Sequence, residues 1–352
     1  MFHEERKRSI LNLIELIKNN MNKRNLGAIV VVLAIIVIVA IFMQKDDASV
    51  DQPTKETVTI GMVTFPGYAP LYLAKEKELF EGVDVELVRI EAIGDLRAAM
   101  NSGQIDMYAA TYDIFQAVED NTPPGVGFLA IDESHGGDGV AVTGDITELS
   151  DLRGKVVGGE PGFPPYFILQ YLLNKEGMSL ADVDFRDLPS ADAGKAFVAE
   201  QLDVVATYEP YLSISAEKRE GAKILVSSAD TPGLIVDFLF ASEELVNNDE
   251  EVLKKVADGW FAAVEYWENN PDEAMTIMGD AFGVDSAEME DIKSGITWTT
   301  LEDNKKLFDK SEENNAYATF DLVGDILENN DSAGVRVTSD EKLSNTIIKS
   351  YK

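Results

Sequence analysis

Residues 57–80 read TVTIGMVTFPGYAPLYLAKEKELF, and this stretch decides the fold. Val58-Thr59-Ile60-Gly61-Met62-Val63 alternates, with β-branched residues at its start, as a strand does. Pro66-Gly67 breaks that pattern. From Ala69 to Phe80 the apolar Leu71, Ala74, Leu79 and Phe80 are set against Lys75, Glu76, Lys77 and Glu78, which predicts a helix. Pro70 falls in its first turn, where a missing N–H is no loss. A strand, a tight turn and a helix open a parallel α/β sheet, and such sheets bind ligands at the carboxyl ends of their strands. The turn Phe65-Pro66-Gly67-Tyr68 is therefore the first candidate site, with simple packing as the alternative for Phe65 and Tyr68.

Outward from this unit the same alternation continues. Strands are expected over 83–90, 105–110 and 126–131, with helices over 94–102 and 111–116, the second entered by Thr111-Tyr112-Asp113. Residues 134–139 read as a loop and 140–143 as a strand leaving the first lobe. A second α/β unit begins with a strand at Lys155 to Gly158, running into Gly159-Glu160-Pro161-Gly162-Phe163-Pro164-Pro165-Tyr166 and a helix closed by Gly177. Strands over 183–188 and 202–206 follow, the latter ending in Thr207-Tyr208-Glu209-Pro210-Tyr211. The apolar run from Leu234 to Phe240 reads as a strand returning to the first lobe, and the remainder as helical. There Asn248 or Asp249 caps a helix whose Val252, Leu253, Val256, Trp260, Phe261, Val264 and Trp267 form a core stripe. Asn270-Pro271 and Asp285-Ser286-Ala287-Glu288 mark two further helix starts.

An internal repeat supports two lobes. Asp95 to Asp106 aligns without gaps with Asp192 to Asp203, each a short helix followed by Gln, an apolar residue and Asp. Both following strands end in Ala-Thr-Tyr, at Ala110-Thr111-Tyr112 and Ala206-Thr207-Tyr208, which places both tyrosines at strand ends lining one cleft.

Composition narrows the chemistry. The 352 residues suffice for two domains, and 63 acidic against 30 basic side chains give a net charge of −33. The first 43 residues carry six basic and three acidic groups, so the rest is near −36, which argues against nucleic acid as a partner. Such a surface stays soluble by self-repulsion and suits a high-salt setting. There is no cysteine, so disulfides, thiol catalysis, Cys-ligated metals and a lipid-modified cysteine are all excluded. Histidine occurs only at His3 and His135. No P-loop, dinucleotide fingerprint or zinc motif is present, and acidic pairs are too frequent to mark general acid–base catalysis. No catalytic residue, metal ligand or cofactor is assigned.

At the amino end, residues 1–25 are basic, with Ile10, Leu13, Ile14, Leu16 and Ile17 as an apolar stripe, as in an amphipathic helix at a membrane face. Leu26 to Met43 is an uncharged run of 18 residues, just long enough to span a bilayer. Basic residues precede it and Asp46-Asp47 follow, which predicts a cytoplasmic N-terminus and an extracytoplasmic body on a single-pass anchor. A cleavable signal peptide is the alternative, although the run is long for one and no small-x-small site directly follows. Residues 44–56 are a polar tether.

The chain resembles the substrate-binding proteins of ABC importers of the nitrate/taurine/alkanesulfonate (NitT/TauT, NMT1-like) type, which also includes pyrimidine-precursor binders. The matching stretches are Ala69 to Lys77, Ser102-Gly103-Gln104-Ile105-Asp106, Asp151 to Val157, Ala193 to Ser213 and Asn270-Pro271-Asp272-Glu273-Ala274, in order over about residues 57 to 310. The resemblance implies an α/β, type II periplasmic-binding-protein fold in which two lobes joined by two crossovers clamp a small solute and deliver it to a permease driven by an ATPase. Placed on this chain, lobe one is 57–141 with 232–352, lobe two is 142–231, and the crossovers fall near Val140–Thr143 and Thr231–Val236. The protein is expected as a monomer. The ligand-contacting loops carried over are Phe65, Gly67 and Tyr68; Thr111 and Tyr112; Pro161 to Tyr166, including Gly162 and Phe163; Tyr208, Glu209 and Tyr211; and, more weakly, Asp237.

One departure bears on the ligand. Anion binders of this type present Ser or Thr and free backbone N–H groups at the helix start after Gly159. Here Pro161, Pro164 and Pro165 remove three donors while Glu160, and Glu209 if it faces the cleft, add negative charge. That suits a cationic or zwitterionic solute such as taurine, or a heterocycle with N–H donors, over a bare anion. Two alternatives remain: a ligand-sensing ectodomain, and an enzyme like the pyrimidine-precursor synthases of the same fold, whose cysteine-rich iron motif this chain lacks. His135 beside Gly136-Gly137-Asp138 reads as an exposed loop residue or a ligand contact.

Overall fold

The computed structural model describes residues 56–117, 122–330 and 335–352. The expected basic segment, apolar run and nearly all of the tether lie outside the described residues; among those described, no helix is long and apolar enough to cross a membrane.

The described strands are β1 (Glu56–Met62), β2 (Val83–Arg89), β3 (Met107–Thr111), β4 (Val126–Ser134), β5 (Asp138–Val142), β6 (Val156–Gly159), β7 (Asp184–Asp187), β8 (Val204–Tyr208), β9 (Lys223–Ser227), β10 (Val236–Ala241) and β11 (Ile296–Trp298). They form two sheets, β11-β4-β10-β3-β1-β2 and β7-β6-β8-β5-β9. In the first, β1 lies between parallel β2 and β3, and β10 runs antiparallel beside β3. In the second, β6 lies between parallel β7 and β8, and β5 runs antiparallel beside β8. Each antiparallel strand reaches its sheet by crossing from the other, the two-lobed periplasmic-binding-protein arrangement.

The repeat is structural as well as sequential. The Asp106 carboxylate accepts the Thr59 N–H at 2.7 Å while its own N–H donates to the Thr59 carbonyl. Asp203 accepts the Val156 N–H at 2.9 Å and donates to the Val156 carbonyl. In each lobe one aspartate ties the entry of the third parallel strand to the first.

Three expectations need correction. The segment Val140–Thr143 is not a crossover: β5 begins at Asp138 and pairs with β8 and β9, so lobe two begins before residue 142 and the chain passes between sheets at 135–137. That short passage is held by Gly295, whose carbonyl accepts the N–H groups of His135 and Gly137, and His135 is exposed there. The carboxyl-terminal part is not wholly helical, since β11 pairs with the edge of β4. The third concerns Tyr112 and follows from strand register.

The opening helix, Ala69–Glu76, buries Ala69, Leu71, Leu73 and Ala74 and packs on the helices Glu250–Asn269 and Pro271–Phe282, while Val58, Ile60 and Met62 of β1 are also buried. The long helix Glu250–Asn269 is capped by Asp249, which accepts the Val252 N–H at 3.2 Å. Its Trp260 is fully buried and donates its indole N–H to the Thr299 carbonyl at 3.0 Å, while half-buried Trp267 meets Trp298 edge-on at 5.0 Å. Asn270 precedes Pro271 at the first position of Pro271–Phe282, and Asp285 caps Ser286–Lys293 by accepting the Glu288 N–H at 2.9 Å.

Candidate functional site

In both lobes the parallel strands end on one edge, and the antiparallel strand begins there. Thr111, the last residue of β3, pairs with Asp237 near the start of β10. Tyr208, the last residue of β8, pairs with Asp138, the first of β5. The lobes thus present equivalent Thr111–Asp237 and Tyr208–Asp138 corners to one cleft of about 140 Å³, close to the ~150 Å³ that admits a benzene ring. Val63, Thr64, Phe65 and Tyr68 follow β1 into it, with Glu91 beyond β2, and Glu160, Phe163 and Pro164 follow β6.

Of the residues singled out from sequence, the cleft brings together Phe65, Tyr68, Thr111, Phe163, Tyr208 and Asp237. Phe65 meets Tyr68 edge-on at 5.3 Å. Gly67 is required by close approach: a Cβ there would fall 2.4 Å from Phe65 and 2.5 Å from the Asp132 carboxylate. Gly162, at φ +84°, lines an adjoining recess with Arg97. The guanidinium of Arg97 is engaged with the Ile114 carbonyl.

The other four are not on the cleft wall. Tyr112 is buried against Phe238 and Phe320, with ring centroids at 4.9 and 5.6 Å. The two Ala-Thr-Tyr segments are one residue out of step in their strands, since Thr111 and not Tyr112 occupies the place of Tyr208. A one-residue slip reverses which face a side chain takes. Tyr166 packs on Phe185 at 5.2 Å, and Tyr211 meets Tyr208 edge-on at 5.8 Å. The Glu209 carboxylate accepts the N–H and hydroxyl of Ser213, holding the start of helix Tyr211–Lys218. Glu160 lines the cleft, yet its carboxylate accepts the N–H and hydroxyl of Ser190, both at 2.9 Å.

The carboxyls with capacity left are ones the sequence hardly signalled. Asp237 accepts the Tyr68 hydroxyl at 2.6 Å, and burial pushes its pKa up to about 8, the charges of Asp113 and Asp138 adding to the shift. Burial pushes Asp138 up to about 7, against the hydrogen bond it accepts from Ser134 at 2.6 Å. Asp132 stands directly across from Asp237 in the β4–β10 ladder, is fully buried, and has no side-chain partner besides the proton-sharing contact with Asp237. Burial, and then the charge of Asp237, lift its pKa well above the carboxylate range. Tyr68 is itself held protonated by burial beside these carboxyls and stays a donor. Asp132 lies one residue past the strand expected over 126–131, between Ile131 and Glu133, and an acid at a strand end gives no sequence sign of whether it is buried.

Asp138 also touches both crossovers. Ser134, its donor, lies 2.8 Å from the Ser228 hydroxyl, which in turn accepts the Gly136 N–H at 2.7 Å. A cleft carboxylate and the two segments joining the lobes therefore share one hydrogen-bond network.

Among the described residues, no group of three or more His, Cys, Asp or Glu side chains is placed to hold a metal ion. The helix Pro164–Lys175 that faces the cleft starts with two prolines, and its preceding residue Phe163 offers no side-chain cap. Among the described residues, no Lys, Arg or His lines the main cleft.

Comparison with known proteins agrees with this architecture. The family model described as NMT1/THI5 like matches residues 66–274. A protein of Brucella abortus carrying the general name of binding protein is 25% identical over 237 residues, 65% of this chain and 73% of its own. The periplasmic aliphatic sulphonate binding protein SsuA of Escherichia coli superposes with a TM-score of 0.67 at 19% identity, over 82% of this chain and 92% of its own. The periplasmic nitrate-binding protein NrtA of Synechocystis does so with a TM-score of 0.62 at 15% identity, over 85% and 88%.

Proposed function

Because the chain belongs to the NMT1/THI5-like family, we propose that it is a solute-binding protein of an ABC importer, clamping a small polar organic solute between its lobes. The observation that carries this reading is the cleft itself, built from equivalent strand ends of both sheets, with Thr111 and Asp237 on one side and Tyr208 and Asp138 on the other. Ligands of open α/β sheets collect at such edges. Lobes joined by short crossovers close on a solute by hinge motion, and the hydrogen bonds linking Asp138 to Ser134 and Ser134 to Ser228 support a cleft residue coupled to that hinge. The names of the Escherichia coli and Synechocystis proteins support a solute receptor of this kind. The apolar run 26–43, with basic residues before it, supports a body held outside the cytoplasm by a single anchor, where the closed form meets a permease and its ATPase.

The test is thermal unfolding of the detergent-solubilised full-length chain against taurine, alkanesulfonates, nitrate, bicarbonate, amines, amino acids and pyrimidines. A solute that binds only the folded state at a hundred times its Kd adds about 2.7 kcal/mol. A rise in Tm with at least one solute is expected. A profile unchanged across all classes counts against a receptor.

A further inference from the structure

Among the described residues, the wall of the cleft carries carboxylates from both lobes and no Lys, Arg or His, Arg97 lying in the adjoining recess. Glu91 and Asp237 come from the first lobe, Asp138 and Glu160 from the second. Behind Asp237, on the same face of the sheet, lies Asp132, fully buried and with no side-chain partner besides the proton-sharing contact with Asp237. In the empty cleft Asp132 shares a proton with Asp237, and burying that pair is costly; N–H donors carrying positive charge from outside the chain would take the proton's place. The chain's own nearby donor, the Tyr68 hydroxyl, is committed to Asp237. An anionic solute would meet this wall without a basic side chain and beside a helix that starts with Pro164 and Pro165.

We propose that the cleft takes an organic cation bearing N–H groups, a protonated amine, amidine or guanidine of about the bulk of a six-membered ring, with those groups donating to Asp237 and Asp138 and with Asp132 as buried countercharge. This rests on the solute-receptor reading and specifies its substrate class. Carboxylate acceptors on opposite lobes let one multi-donor cation bridge them, so that closure and binding are the same event. The rings of Phe65, Tyr68, Phe163 and Tyr208 supply faces and edges for the rest of the solute, and their π-faces favour positive charge. Unfilled oxygen acceptors distinguish an N–H cation from a quaternary ammonium, which satisfies charge but donates nothing.

Calorimetric titration of the full-length chain with cyclohexylamine, benzamidine and butylguanidine is the test, set against tetramethylammonium, methanesulfonate and nitrate. The N–H cations are expected to bind, tetramethylammonium at least tenfold more weakly, and the two anions not at all. Asp237→Asn and Asp138→Asn are each expected to weaken cation binding at least tenfold while retaining the folded far-UV spectrum. Should Asp237→Asn fail to fold, Asp138→Asn on the other lobe carries the same test. Binding of an anion in place of the cations, or cation affinity unchanged in a folded variant, overturns the inference and leaves the receptor reading standing. Absence of binding by every class in this panel and in the wider one above overturns both.

Discussion

Asp132 and Asp237 face each other as direct cross-strand partners on β4 and β10, both buried, with the Tyr68 hydroxyl donating to Asp237 alone. Like charges directly opposite in an antiparallel ladder repel, and burial removes the water that would screen them. One proton held between the two carboxyls is therefore the state of the empty cleft. A cationic solute would replace that proton.

Asp132→Asn removes the repulsion and supplies an amide donor to Asp237. Unfolding of the ligand-free variant at pH 8 should show a gain of about 1–3 kcal/mol, the scale of a hydrogen bond to a buried charged group. The gain should shrink at pH 5, where the unfolded chain is closer to protonated and the proton that the native pair holds costs less. A variant less stable than the native chain at pH 8 would show that the pair is already compensated.

Stability of the ligand-free protein should fall as pH rises from about 4 to 8. Asp113, Asp138 and Asp237 are pushed up to about 6, 7 and 8 in the folded state. Over that window the fold holds protons that the unfolded chain has released, so each rise in pH favours unfolding. On the acid side the sign reverses. Asp145, lowered to about 2 by hydrogen bonds from Thr143 and Lys155, contributes stability that is lost as pH falls from 4 toward 2. A Tm profile with its maximum near pH 4–5 is expected, and Asp237→Asn should flatten its alkaline limb.

Tyr208 and Glu209 are neighbours with separate tasks. Tyr208 lines the cleft, whereas Glu209 is spent on Ser213 at a helix start. Tyr208→Ala should weaken solute binding at least tenfold, about 1.4 kcal/mol. Glu209→Ala should cost about 0.5–2 kcal/mol of folding stability, the range for loss of a helix cap, with affinity changed less than twofold. Calorimetry and denaturant unfolding on both variants separate the two effects.

Asp106 and Asp203 should be interchangeable in cost. Each accepts a backbone N–H of the first parallel strand of its lobe. Asp106→Ala and Asp203→Ala should each lower stability by about 1–3 kcal/mol by leaving that N–H without its partner. The double variant should be additive, because the two sites lie in separate sheets and share no partner. Strong non-additivity in denaturant unfolding would reveal lobes that do not fold independently at these strands.

The local chemistry of the chain settled a great deal unaided. The alternation at Val58 to Val63, the break at Pro66-Gly67 and the stripe through Leu71 and Ala74 determine a strand, turn and helix. Spacing between Asp95–Asp106 and Asp192–Asp203 determines two lobes built alike, and of the aromatic residues after the strands, Phe65, Tyr68, Phe163 and Tyr208 do line the cleft. These are consequences of neighbours in sequence. Beyond Asp237, already the weaker candidate from the resemblance, the tertiary structure decided which carboxyls keep capacity. Glu160 and Glu209 were as visible as any acid in the chain, but a nearby Ser190 and Ser213 take up their oxygens. Asp132 and Asp237 are 105 positions apart and become partners only when β10 crosses back to lie between β3 and β4. The face taken by Tyr112 likewise turns on a one-residue difference in strand register; matching the two Ala-Thr-Tyr endings hides it, although counting on from the gapless repeat, six residues from Asp106 to Tyr112 against five from Asp203 to Tyr208, gives it. Burial and cross-strand pairing are properties of the assembled sheet, and they set which carboxyls of the cleft keep free acceptors and which are already engaged.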